Sequence, residues 1–118
     1  MEFSKTHEWI KEENGLIVVG ITDYAQNEMG DIVYAELPEV GKNVAAGDEV
    51  CELESVKAVA PVNCPVGGEI AEVNAELDAD PSLINRDAVN AWLFKVKPDG
   101  TKSVMMSESE YAKYLKTL

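Results

Sequence analysis

The sequence predicts an all-β domain, a sandwich or barrel in which neither sheet is large, and three features predict it. Short β-branched runs recur at close spacing, turn residues separate them, and helical periodicity is confined to connections and the C-terminal end. The chain has 118 residues, room for one domain with a core of its own, so a single domain over 1–118 is expected. Apolar residues make up 46% and charged residues 27%, ordinary values for a chain that folds.

The strand signals are residues 16–21, 32–37, 49–54, 57–62, 66–73 and 92–97. The first follows the turn pair Asn14-Gly15 and the second closes on Pro38. Gly41, Gly47-Asp48, Cys64-Pro65, Gly67-Gly68 and Pro98-Asp99-Gly100 supply the remaining breaks. Residues 22–30 read as a helix, with Thr22 as N-cap, Asp23 in the first turn and Gly30 past the end. Residues 80–84 read as another, with Asp80 capping and Pro81 at the first helical position. The segment 97–107 is the one loose connection. A C-terminal helix over about 107–118 opens on a capping box, Ser107 with Glu110. Tyr111, Tyr114, Leu115 and Leu118 then form an apolar stripe predicted to pack on the sheet. Glu108 and Glu110 at its start and Lys113 and Lys116 near its end suit the helix dipole.

Acidic residues outnumber basic ones by 22 to 10, for a net charge of −12. That charge repels phosphate backbones and anionic lipid heads, so neither nucleic acid nor a membrane surface is an expected partner. No apolar run approaches the roughly 20 residues of a membrane span. Residues 1–12 are charged and lack the apolar stretch of a signal peptide, so a cytoplasmic location is expected. Cys51, Cys64 and the single His7 form neither a CxxC pair nor a zinc pattern, and no metal is expected. Both cysteines fall in apolar stretches and read as buried, reduced and structural, although spacing leaves a cross-strand disulfide open. His7, beside Trp9, reads as packed or hydrogen-bonded, and Trp92 reads as core.

Most of the chain is scaffold, and Lys57 is the residue that the scaffold presents. It lies between two strand signals in Glu54-Ser55-Val56-Lys57-Ala58, where a tight hairpin puts its amine at the tip. Gly41 lies 16 residues before it and Gly68 lies 11 after. This pattern resembles the lipoyl-lysine signature of glycine cleavage system H proteins. Thr6-His7-Glu8-Trp9, residues 19–26, Gly30-Asp31-Ile32-Val33 and residues 37–41 follow the same family pattern. So do Gly47-Asp48, residues 65–70, Val73-Asn74 with Leu77, and Leu83-Ile84-Asn85. The resemblance covers roughly residues 3–97, and so many ordered motifs are specific.

The resemblance implies a barrel-sandwich hybrid of the lipoyl and biotinyl type, with small peripheral helices and lipoate in amide linkage on Lys57. It also implies a non-enzymatic carrier, expected to be a monomer. The implied partners are a lipoate-attaching enzyme, a pyridoxal-phosphate glycine decarboxylase, a folate-dependent aminomethyltransferase and dihydrolipoamide dehydrogenase. A lysine amine is protonated at neutral pH, so it needs that enzyme to take its proton and supply activated lipoate. Glu54 and the small Ser55 and Ala58 leave the tip accessible, and Val56 completes the attachment motif. Biotin carriers usually flank their lysine with methionines, where this chain has Val56 and Ala58. Glu8 and Thr6 are the candidates for holding a cationic cargo when the arm docks.

Two departures stand near the working end. Most H proteins follow the lysine with a short polar run, where this chain has Val59-Ala60-Pro61. The Pro-Tyr-Gly-x-Gly-Trp segment is reduced to its tryptophan in residues 86–92. These losses leave a second reading open, an H-like paralogue serving lipoate relay or another redox partner. A third is a β-rich interaction module that never carries lipoate. Of the nine lysines only Lys57 is expected to be modified, which would move the net charge from −12 to −13. The modified form should run faster on a native gel, and peptide mapping should place the group on Lys57. A lipoyl group found on Lys42 or Lys95 would end that expectation.

Overall fold

The computed structural model describes residues 1–118. In chain order the elements are β1 (Glu2–Phe3), β2 (Glu8–Glu13), β3 (Leu16–Ile21), α1 (Asp23–Met29), β4 (Ile32–Glu36), β5 (Asn43–Val44) and β6 (Glu49–Ser55). They continue with β7 (Val59–Asn63), β8 (Val66–Val73), α2 (Glu76–Ala79), α3 (Leu83–Arg86), β9 (Phe94–Lys102) and α4 (Glu108–Leu115). One antiparallel sheet runs β1-β2-β3-β9-β8-β5 and the other β4-β6-β7. Both sheets are open. The expected all-β barrel-sandwich hybrid is thereby corrected to a mixed α and β fold with two sheets and four helices. Closure fails because the larger sheet ends on two-residue strands, β1 and β5, at opposite edges. Strands that short expose few unpaired backbone groups and offer little to pair with.

A contiguous core of 20 buried residues holds the fold together. Strand alternation supplies it from the larger sheet, where β3 and β8 flank β9 in rows Val19-Phe94-Val73 and Ile17-Val96-Ile70. Ile32, Leu53 and Val62 supply it from the smaller sheet. The turn Asn14-Gly15 takes positive φ at both residues, 52° and 81°, as a two-residue hairpin between right-twisted strands requires. β2 escapes hydrophobic reading because Lys11, Glu12 and Glu13 fill its second half.

Trp9 faces away from the core and lies on Gly20, its cross-strand partner. A Cβ at Gly20 would sit 2.3 Å from the indole. The indole N–H donates to the Ala88 carbonyl at 2.9 Å, which pins the 87–91 loop over this face. Phe3, opposite Trp9, stacks on Tyr111 of α4 with ring centroids 4.9 Å apart. Tyr111 is therefore buried as the helical stripe predicts, whereas Leu118 is exposed. The capping box forms in full, Ser107 accepting from the Glu110 backbone and Glu110 from that of Ser107.

Several expected boundaries move. Residues 97–102 continue β9 instead of forming a loose connection. Beyond Val96, β9 pairs with β8 alone, so Pro98 can occupy a strand whose other side needs no donor. Trp92 is half-exposed and precedes the strand, with the Lys95 amine 4.8 Å from its ring centroid, while Leu93 and Phe94 enter the core. Asp80 pairs with Arg86 and accepts from Ser82, so α3 starts only after Ser82. Lys57 lies in the turn before β7. Cys51 and Cys64 are free and buried, with no disulfide between them. Burial pushes their thiols up to about 12 and about 11, and Cys64 donates to the Val66 carbonyl. No helix is long and apolar enough to cross a membrane.

Gly20→Ala is expected to destabilise the protein by roughly 1–3 kcal/mol by forcing Trp9 out of its place, although glycine to alanine usually favours a strand. The urea midpoint measures it, and an unchanged or raised midpoint would contradict the packing.

Candidate functional site

The β6–β7 hairpin is braced from inside. Ser55, the last residue of β6, is buried, because alternation along β6 turns it inward with Cys51 and Leu53. Its backbone N–H donates to the Ala58 carbonyl at 2.7 Å, closing the turn. Its hydroxyl accepts from the Lys57 N–H at 3.3 Å and the Ala58 N–H at 3.0 Å. The hydroxyl also donates to the Ala58 carbonyl at 3.2 Å. One side chain thus meets the polar backbone that a three-residue turn leaves without ladder partners. Val56, Lys57 and Ala58 remain exposed, as does Glu54, which points outward from the row Tyr34-Glu54-Val59.

A second anchor comes from the turn between α1 and β4. The Val56 N–H donates to the Asp31 carbonyl at 3.0 Å. That turn is held by Asn85, at the end of the chain's α3. Its amide nitrogen donates to the Gly30 carbonyl and the Gln26 side chain, and its oxygen accepts from the Ile32 N–H, all at 2.9 Å. Gly30 has φ +77°, and a Cβ there would lie 3.4 Å from the Lys57 Cε. The lysine stem therefore rests beside the bare backbone of Gly30. No local pattern around Asn85 announces this role. Its only sequence signal is that Leu83-Ile84-Asn85 and Gly30-Asp31 both belong to the matched motifs, with Asn85 and Gly30 55 residues apart.

The flanking glycines serve the scaffold. Gly41, at φ +93°, donates its N–H to the Ile70 carbonyl. Gly68 pairs with Val44 and Pro98, and a Cβ there would stand 2.1 Å from the Lys97 carbonyl oxygen. Neither takes part in the hairpin's hydrogen bonds.

Beside the hairpin a cleft of about 190 Å³ opens between α1 and β7. Thr6 and Glu8 lie at it, and Ala60 and Pro61 form part of its wall. Strand alternation turns Glu8 inward with Ile10, and the residue is 2% exposed. It accepts from Ser4 Oγ at 2.6 Å, from the Thr6 hydroxyl and from the Asn63 N–H at 3.2 Å. Burial pushes the Glu8 carboxyl up, and those hydrogen bonds oppose the rise. His7, at φ 70°, bonds through Nδ1 to the Tyr111 hydroxyl at 2.8 Å, which also meets Thr22 Oγ1 at 2.8 Å. Burial lowers the imidazole below its ordinary value, with Glu28 pulling the other way.

A rigid two-sheet base, one lysine on a braced hairpin and a cleft beside it make up the build of a carrier domain, which presents a tethered group to other proteins. The family model for the glycine cleavage H-protein matches residues 1–118. The chain belongs to that family. It is 52% identical over 120 residues to a "Probable glycine cleavage system H protein" of Pyrococcus horikoshii, covering 98% of this chain and 90% of that one. A glycine cleavage system H protein of Acinetobacter baumannii is 43% identical over 114 residues, covering 94% and 92% of the two chains. The crystal structure of an H protein from Mycobacterium marinum superposes with a TM-score of 0.91 at 37% identity, covering 98% of this chain and 95% of that one. The protein is a non-enzymatic carrier of the glycine cleavage system, a lipoyl carrier by family. That relationship favours glycine cleavage over the paralogue reading.

The raised Glu8 carboxyl carries a sign. Its proton is held more tightly in the folded chain, so its contribution to stability is full below the ordinary carboxylate range and is lost as pH rises through the folded value. Between about pH 4 and about pH 8, wild type should therefore lose urea stability relative to Glu8→Gln, which has no such proton to lose. A stability difference between the two proteins that stays constant over that range would contradict the assignment.

Proposed function

We propose that Lys57 carries the lipoate and that the loaded arm docks in the cleft between α1 and β7. The observation that supports it most is the position of Lys57, alone at the tip of a hairpin braced by a buried serine and bordering a cleft. The residues present fit the group. The amine is exposed and enters none of the ion pairs, and the stem has a free path beside Gly30. When bound, lipoate supplies a redox-active disulfide whose sulfur takes up the aminomethyl cargo.

The chain's own residues do the rest. Ser55 and the Asp31 carbonyl hold the hairpin so that the arm pivots on a fixed base, which keeps mobility in the arm and out of the backbone. Val56 and Ala58 leave the amine uncrowded for the attaching enzyme, and the outward carboxylate of Glu54 gives that enzyme a charge to read. Thr6 and Glu8 border the cleft and limit the water that reaches a docked cargo. The partners we propose are the attaching enzyme, the pyridoxal-phosphate glycine decarboxylase, the folate-dependent aminomethyltransferase and dihydrolipoamide dehydrogenase. They would be met by a monomer in the cytoplasm, a setting that suits two free thiols.

Glycine–bicarbonate exchange by the decarboxylase tests this reading. It should depend on the lipoylated chain and be lost with Lys57→Arg, which keeps the charge but cannot take the acyl group. Exchange supported equally by a folded Lys57→Arg protein would sink it.

A further inference from the structure

A cationic cargo in this cleft meets a problem that the structure makes specific. The β7 wall is apolar where the family's polar run would stand, since Pro61 offers neither charge nor donor. Glu8 is a poor sole partner. Three of the roughly four acceptor positions on its carboxylate are already filled by Ser4, Thr6 and Asn63. Its burial also disfavours the charged form.

The opposite wall has what the β7 wall lacks. Glu28 on α1 lines the same cleft, one turn on from Tyr24, which lines it too. Its side chain is exposed and takes part in no hydrogen bond or ion pair of the structure, so its carboxylate is uncommitted. It stands in the last turn of α1, which holds no basic residue. A carboxylate there opposes the negative end of the helix dipole, a local cost that a cation beside it would relieve. Burial lowers the neighbouring His7 imidazole while Glu28 pulls the other way, and no ion pair joins the two. Asn85 fixes the end of this helix, through Gln26 and Gly30, to the turn that anchors the lysine hairpin. The position of Glu28 relative to the arm is therefore set by the fold.

We propose that Glu28 is the anionic partner of the ammonium end of the docked cargo, supplying from the helix the polar partner that the apolar β7 wall does not offer. This rests on the reading that the arm of Lys57 docks in this cleft. The interaction is a charge-assisted hydrogen bond made as the cation gives up water, and no bond to the cargo forms or breaks.

The test uses lipoylated protein loaded by the decarboxylase, freed from it and checked by intact mass. Release of the cargo from the isolated carrier is then followed with no enzyme present. Glu28→Gln should release it about tenfold faster than wild type, the scale of one lost charge-assisted bond. Adding Pro61→Asp to Glu28→Gln should restore most of the retention, because it places a carboxylate on the opposite wall. Retention by Glu28→Gln equal to wild type overturns the proposal. So does a loss that Pro61→Asp leaves uncorrected, since a purely structural effect of residue 28 would behave that way. Glu8→Gln and a short lipoyl-lysine peptide separate this from the docking reading. Retention that depends on Glu8 and is indifferent to Glu28 overturns the role of Glu28 alone. Wild-type retention no better than that of the peptide overturns docking itself, and the Glu28 proposal with it.

Discussion

The Asn85 carboxamide joins three segments that the sequence keeps far apart. It accepts from the first residue of β4 and donates to the Gly30 carbonyl and to the Gln26 side chain on α1. Without it, a backbone donor and a backbone acceptor at the α1–β4 turn would lose their partners, at about 1–3 kcal/mol for each that stays buried. The next residue in that turn, Asp31, offers its carbonyl to Val56 of the lysine hairpin. A side chain on α3 therefore governs where the hairpin sits, and it does so without touching the lysine. The cleft depends on the same clamp, because α1 is one of its walls.

A carrier has to combine a long mobile arm with a base that does not move. Here the base is stiffened at two scales. Across the molecule, two sheets face one another over a shared core, and Trp9 locks the outer face of the larger sheet to the 87–91 loop. At the tip, the Ser55 hydroxyl satisfies the turn's backbone groups from within, so Lys57 stands on an ordered turn with its own side chain unconstrained. Freedom is thus concentrated in the bonds beyond the backbone of residue 57. An ordered base limits the entropy lost each time the arm is captured by an enzyme or by its own cleft.

The electrostatic layout follows from the same division. The net charge of −12 spreads over exposed strands and helices, where solvent screens it. The one deeply buried carboxylate, Glu8, is compensated by two hydroxyls and a backbone N–H. Glu28 is neither buried nor compensated. The two carboxylates at the cleft consequently have different characters, one structural and constrained, the other free to answer to whatever enters.

Local patterns carried much of this protein in the sequence itself. The Asn14-Gly15 turn, the Thr22 cap, the Ser107–Glu110 box and the short apolar runs that become β3, β6 and β8 rest on patterns within a few residues, so they are legible without the fold. Lys57 was legible for the same reason, since a tight turn between two strand signals has only one outward tip. Other features needed the tertiary structure. β2 hides its strand character behind three charged residues because only Ile10 and Glu8 face inward. Pro98 reads as a break until β3 is seen to stop pairing at Val96, which leaves the proline side of β9 free of donors. Whether the sheets closed into a barrel depended on which strands became edges, and no local signal states that. Asn85 and Glu28 acquire meaning only when α3 and α1 are brought to the hairpin, because hydrogen bonds and charges act over a few ångströms of space whatever their separation along the chain.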